Sequence, residues 1–253
     1  MSLLMNASVS PRPFQYVLCF LLVTTSLSAW AQDVLVLKNG QRRDVQVLGV
    51  SDGRVRFKAG PAETTLPLDQ VASVRMQAPK AFEDAVEVWK TGDAAKTLPL
   101  LKPLVENFRS LPAPWAERAS ALLGSVLLES GDLPGAEAAF AAFQKAYPQA
   151  TGLADIGLAR LAVEKKDFAT ANTKLTPIVD AGKKTLLAES GKSSEYGQAF
   201  YLMGNVLEND GKFPEALEHY LLAVTVFYED PAVVARAQAR ADSLIKEKNV
   251  SVP

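Results

Sequence analysis

Gly124 and Gly204 each head the same series of residues, and no other feature of this 253-residue sequence restricts its fold as much. From either glycine, leucine follows at +3 (Leu127, Leu207), glycine at +7 (Gly131, Gly211) and proline at +10 (Pro134, Pro214). Alanine then stands at +12 (Ala136, Ala216) and a large aromatic at +16 (Phe140, Tyr220). Each position has a physical reason. The leading glycines and the alanines remove side-chain volume, so that two antiparallel helices approach closely, and the aromatics fill the space toward the next helix. Gly131 and Gly211 let the chain leave a helix through a left-handed conformation, and Asp132 is placed to cap the helix that follows. Pro134 and Pro214 fall in the first turn, where no intrahelical N–H bond is lost. One such hairpin cannot bury its own apolar face, so packing devices repeated at fixed offsets require a stack of hairpins.

Two weaker copies extend the series. KKDFATANTKL places Phe168 35 residues after Leu133 and 45 before Phe213, with Ala171 and Leu175 in the small and large roles and Lys166 in place of the loop glycine. The residues in excess of the usual period fall within 177–194, to be absorbed by a lengthened second helix and a Gly-Lys-Ser loop. An earlier unit, residues 81–108, keeps Gly92 and Asp93 at its turn. Residues 231–248 read as a polar capping helix, which such arrays need for solubility.

On these residues the segments 117–150 and 197–230 resemble tetratricopeptide repeats, helix-turn-helix units of about 34 residues. The first departs from the family pattern at Ser120, where a large aromatic is usual, and at Phe143, where a small residue is usual; the second fits with Phe200 and Ala223, although Tyr228 replaces the closing proline. The resemblance implies a concave surface lined by the first helices and used to bind peptides or proteins. Carried onto matching positions, it implies groove-facing Arg118, Ala121, Ser125, Leu128 and Glu129 in one copy and Gln198, Tyr201, Asn205, Glu208 and Asn209 in the other. The degenerate copy would present Arg160 and Glu164. Tyr201 and Asn205 stand out, because an aromatic with a polar tip beside an amide can grip a peptide backbone. The GD-x-x-x-A-x-x-x-F pattern ending in Tyr-Pro is also similar to that of periplasmic envelope-assembly and cell-division coordinators.

Ahead of residue 79 the period changes to two: Val34/Val36, Val45/Val47, Val55/Phe57, Leu66/Leu68 and Val74/Met76 alternate with polar residues. Asn39-Gly40 and Asp52-Gly53 are signals for tight primed hairpin turns. About five short strands predict a small barrel or roll, closed to protect its edges. The run KNGQRRDVQVLGVSDGRVRF followed by LPLDQVASVRM resembles the SH3-like or Sm-like small barrels at the start of some exported bacterial proteins. The fold expected is therefore α+β in two domains: residues 32–77 as the β module, residues 79–248 as an all-α solenoid of about four hairpins with a cap.

Arg12, an apolar run over 16–27 and the small-x-small Ala29-Trp30-Ala31 read as a signal peptide over 1–31, cut between Ala31 and Gln32. Cys19 in a lipoprotein signal is the competing reading. Cleavage removes the single cysteine, leaves no stable membrane span, and makes the mature chain periplasmic or secreted. A formal net charge of −1 gives no electrostatic footprint for nucleic acid.

Catalytic signals are absent from the pattern. His219, the single histidine, excludes a two-histidine zinc motif and reads as a partly exposed surface residue. Gly191-Lys192-Ser193 lacks the glycine five residues upstream that a phosphate loop needs, where Leu186 stands. The expectation is a non-catalytic scaffold or adaptor without metal or cofactor, binding a protein or peptide. A self-assembling homo-oligomer and a non-catalytic subunit of an envelope enzyme complex are the alternatives.

Overall fold

The computed structural model describes residues 33–185 and 192–251; the expected signal peptide and the Gly191 end of the Gly-Lys-Ser loop lie outside them. Five strands come first: β1 (Asp33–Leu37), β2 (Arg42–Ser51), β3 (Arg54–Ala59), β4 (Ala62–Pro67) and β5 (Val71–Arg75), in the antiparallel order β4-β3-β2-β1-β5. Asp52 and Gly53 both take positive φ, as a primed turn requires. Asn39-Gly40 does otherwise. Only Gly40 is left-handed, Gly40 N donates to Leu37 O, and the three-residue loop is a type I turn closed by a bulge. A third hairpin, at Gly60-Pro61, has positive φ at its first central residue.

Among the described residues the expected closure is not one of the strand pairings, and β4 and β5 form the two edges. The β5 edge is covered differently: Val74 N donates 2.8 Å to Pro112 O in the loop between the second and third helices. Register in β1 also differs from the expected pairs. Leu35 and Leu37 are buried while Val34 and Val36 are partly exposed, because the run is apolar on both faces and the helical side of the sheet selects one. In β5 the buried residues are Val71 and Val74; Leu68 belongs to a turn of 3₁₀ helix and Met76 lies beyond the strand.

Nine helices follow among the described residues: α1 (Lys80–Lys90), α2 (Ala94–Phe108), α3 (Pro114–Glu129), α4 (Leu133–Ala146), α5 (Thr151–Glu164), α6 (Phe168–Thr185), α7 (Ser193–Asn209), α8 (Phe213–Thr225) and α9 (Pro231–Lys248). α1 to α8 form four hairpins. Their turns share one geometry, with Gly92, Gly131, Lys166 and Gly211 at φ 79°, 83°, 61° and 73°. Asp93, Asp132 and Asp167 cap the next helix through the amides of Lys96, Gly135 and Thr170, at 2.9, 2.9 and 3.1 Å. The third hairpin takes the same turn without a glycine, and α6 is the lengthened helix expected there.

The small and large positions interlock as the offsets require. A Cβ on Gly124 or on Gly157 would lie under 3.0 Å from the Phe140 ring, so one buried ring is held between the backbones of α3 and α5. Gly204 stands against Tyr220 in the same way. The departures at Ser120 and Phe143 form an exchange: both are buried, small then large, where Phe200 and Ala223 are large then small.

Sheet and solenoid share one core. Leu35, Val55, Phe57 and Val74 pack in a single cluster with Phe82 and Ala85 of α1, Leu101 and Val105 of α2, and Trp115 and Ala119 of α3. The link is specific. β2 carries a bulge between Val47 and Gly49, which leaves the Leu48 carbonyl free to accept from Asn107 Nδ2 of α2 at 3.0 Å. Asn107 Oδ1 in turn accepts from Arg56 Nη2 at 3.2 Å. Gly49, at φ 150°, has no room for a side chain, since its Cβ would sit 2.5 Å from Asn107 Oδ1.

Candidate functional site

Successive first helices lie side by side, α3 against α5, α5 against α7 and α7 against α9, so residues on their common face converge. Along α7, Tyr201, Asn205 and Asn209 recur every four residues and form one row down the helix. Together with Glu208 they line an open cavity of about 440 Å³, completed by Val163 of α5, Phe168 of α6 and Arg240 of α9.

A chain of polar contacts fixes this end of the array. Tyr220 is fully buried, and its hydroxyl lies 2.9 Å from Glu208 Oε2 and 2.7 Å from the Asn205 amide. A carboxylate only accepts, so the single phenolic proton goes to Glu208 and Asn205 is satisfied by turning its NH₂ toward the phenol oxygen. Glu208 also receives Arg240 at two points, Nε at 3.2 Å and Nη2 on the other oxygen. Burial first, then the Glu208 charge, raises the Tyr220 pKa far above the ordinary phenol range. The hydrogen bond to Glu208 raises that of Arg240. One turn before Arg240, the Arg236 guanidinium lies 5.8 Å over the Tyr201 ring.

The upstream positions are arranged otherwise. Glu129 and Arg160 pair with each other and tie α3 to α5. Lys174 and Asp155, at 2.9 Å, tie α6 to α5. Arg118 and Glu164 are exposed, Ser125 is half-buried, and Gln198 turns to Ser194 of its own helix at 3.4 Å. Leu128 is buried. Of the twelve sequence-derived candidates, the cavity therefore gathers Tyr201, Asn205, Glu208 and Asn209. The sequence reading missed Val163, Phe168 and Arg240. A signal for Arg240 existed: Arg236 and Arg240 repeat the four-residue spacing of Tyr201 and Asn205, as they would if the cap were one more first helix.

His219 is buried at 5% exposure, not on the surface. Its Nδ1 donates to Glu215 O at 2.7 Å and its ring packs 5.5 Å from Phe200. Residue +15 of the repeat faces the neighbouring helix here, and desolvation lowers the imidazole pKa. Among the described residues, no group of three or more His, Cys, Asp or Glu side chains could hold a metal ion. No described helix is long and apolar enough to cross a membrane.

A family model for the tetratricopeptide repeat-like domain matches residues 70–244. The chain belongs to this tetratricopeptide repeat-like family. The match begins within the β segment, before β5. Two solved structures of MamA are similar. One, residues 41 to the end of MamA from Desulfovibrio magneticus RS-1, is 17% identical at a TM-score of 0.43, covering 69% of this chain and 92% of that one. The other, the MamA RS-1 ArsTM double mutant, is 16% identical at a TM-score of 0.41, covering 69% and 99%. No curated protein matches the chain.

Proposed function

We propose that the protein is a non-catalytic scaffold or adaptor of the cell envelope that holds a protein or peptide partner in the concave face of its repeat array. The observation that carries this reading is the cavity at the C-terminal half, where an amide row on α7 faces apolar Val163 and Phe168 across about 440 Å³. Amides and a phenol edge suit the backbone of an extended chain, and apolar walls suit its side chains. Glu129–Arg160 pairing turns the upstream half toward holding helices together, so the partner contacts concentrate between α5, α7 and α9. The sheet serves as the cap of the first hairpin, and residues 1–31 direct export, with the cut between Ala31 and Gln32. N-terminal sequencing of the protein recovered from cells tests the cut.

The groove is tested by photo-crosslinking from a benzoylphenylalanine placed at Tyr201, with the exposed Tyr228 as reference position. Capture of a defined partner at 201, absent at 228 and lost when Asn205→Ala and Asn209→Ala are added, is the expected result. Equal capture at both positions, or capture unaffected by the two alanines, would remove the groove from the function.

A further inference from the structure

The cationic side of the groove is built more firmly than a surface arginine needs. Glu208 is held by the buried Tyr220 hydroxyl and in turn holds Arg240 by Nε and Nη2. A guanidinium has five N–H donors in a planar fork, so the Nη1 pair is left over on a side chain whose orientation is already set. Arg236, one turn away, uses Nε on the Ala232 carbonyl and lies over Tyr201, which leaves both of its terminal nitrogens. Two guanidinium groups thus stand against one carboxylate at the edge of a cavity. The opposite wall is apolar, at Val163 and Phe168, and exposed Glu164 follows Val163 on α5.

We propose, resting on the groove reading above, that the occupant is an internal, extended peptide segment carrying one side-chain carboxylate next to an apolar side chain. The carboxylate lies on Arg240 and Arg236, and the apolar group on Val163 and Phe168. Charge complementarity sets the count at one, because Glu208 offsets one guanidinium and a second carboxylate toward α5 would meet Glu164. The length of the amide row sets the segment as internal. From Tyr201 to Asn209 is about 12 Å along a helix, which matches roughly four extended residues lying beside the arginines and not ending at them.

The test uses the full chain and C-terminally amidated, fluorescein-labelled peptides, SGAFEAFGS and SGAFQAFGS, read by fluorescence anisotropy. The Glu peptide is expected to bind about tenfold more tightly than the Gln peptide, with the advantage shrinking as salt is raised. Arg240→Gln should abolish that preference. Because Arg240 also compensates Glu208, Arg236→Gln is the second variant; it lies on an exposed turn and should reduce the preference without affecting the fold. Equal binding of the two peptides overturns the carboxylate assignment, as does binding that appears only when the C-terminal amide is replaced by a free carboxylate. If the peptides bind equally while the Tyr201 crosslink persists, the groove stands and the carboxylate falls. Loss of both removes the groove as well.

Discussion

Replacing glycine by alanine inside a helix ordinarily stabilises it by about 1 kcal/mol, since alanine restricts the unfolded chain and is the better helix former. At Gly204 the sign should reverse. The added Cβ would lie under 3.0 Å from three atoms of the Tyr220 ring, where ordinary contact is 3.4–4 Å, so ring or helix must retreat by roughly 1 Å. Tyr220 has no free space, being fully buried, and its hydroxyl is anchored to Glu208. Overpacking of this kind costs about 1–3 kcal/mol, and displacing the hydroxyl forfeits part of a bond worth about 1.5 kcal/mol. Set against the propensity gain, Gly204→Ala should be less stable by about 1–2 kcal/mol, with an unchanged urea m-value. Adding Tyr220→Leu, which removes the clashing ring edge, should make the two losses less than additive by about 1 kcal/mol. A Gly204→Ala protein as stable as the parent, or strictly additive losses in the cycle, would refute the interlock of small and large residues as the cause of the repeat.

Three further outcomes follow from the packing and the titration of buried groups. Gly49→Ala puts a side chain on Asn107 at a backbone angle that favours glycine, and should lower stability by about 2–4 kcal/mol, read as a drop in Tm. Since Ser120 and Phe143 exchange sizes with Phe200 and Ala223, the double variant Ser120→Phe/Phe143→Ala should be more stable than Phe143→Ala alone, which leaves a cavity costing about 3–5 kcal/mol; urea midpoints decide this. His219 is held neutral by burial, its pKa below the ordinary 6.5. The unfolded chain therefore binds a proton before the folded one does. Stability from this residue is complete above pH 6.5 and declines as pH falls below it, and His219→Gln should flatten that part of the urea-midpoint profile.

The hairpins were legible in the sequence because their devices demand particular residue types: only a small residue fits at 124, 136, 204 and 216, and a left-handed turn favours glycine at 131 and 211. Where the constraint is weaker the sequence is silent. Val34, Leu35, Val36 and Leu37 are all apolar, so alternation cannot choose the inner face of β1; the helices beneath the sheet do. Edge protection by the Pro112 loop needs a contact between distant segments that no local pattern encodes. The same holds for the groove. Spacing along α7 places Tyr201, Asn205 and Asn209 on one face, but Glu129 meets Arg160 and Glu208 meets Arg240 only because neighbouring repeats bring them together, and either pairing changes what the side chain can offer a partner. The burial of His219 was hidden by its flanks, as Glu215 and Glu218 suggest a wetted helix face.

Phe140, clasped by Gly124 and Gly157, has a consequence for how such a protein diverges. The separation of α3 and α5 is one aromatic ring thick, and the stacking of first helices sets the curvature along which the proposed partner would lie. A substitution at that ring would change the radius of the array while every side chain proposed to face the partner kept its identity. On the proposed function, selectivity can therefore drift through the spacers between helices, and two relatives with the same surface residues need not accept the same chain.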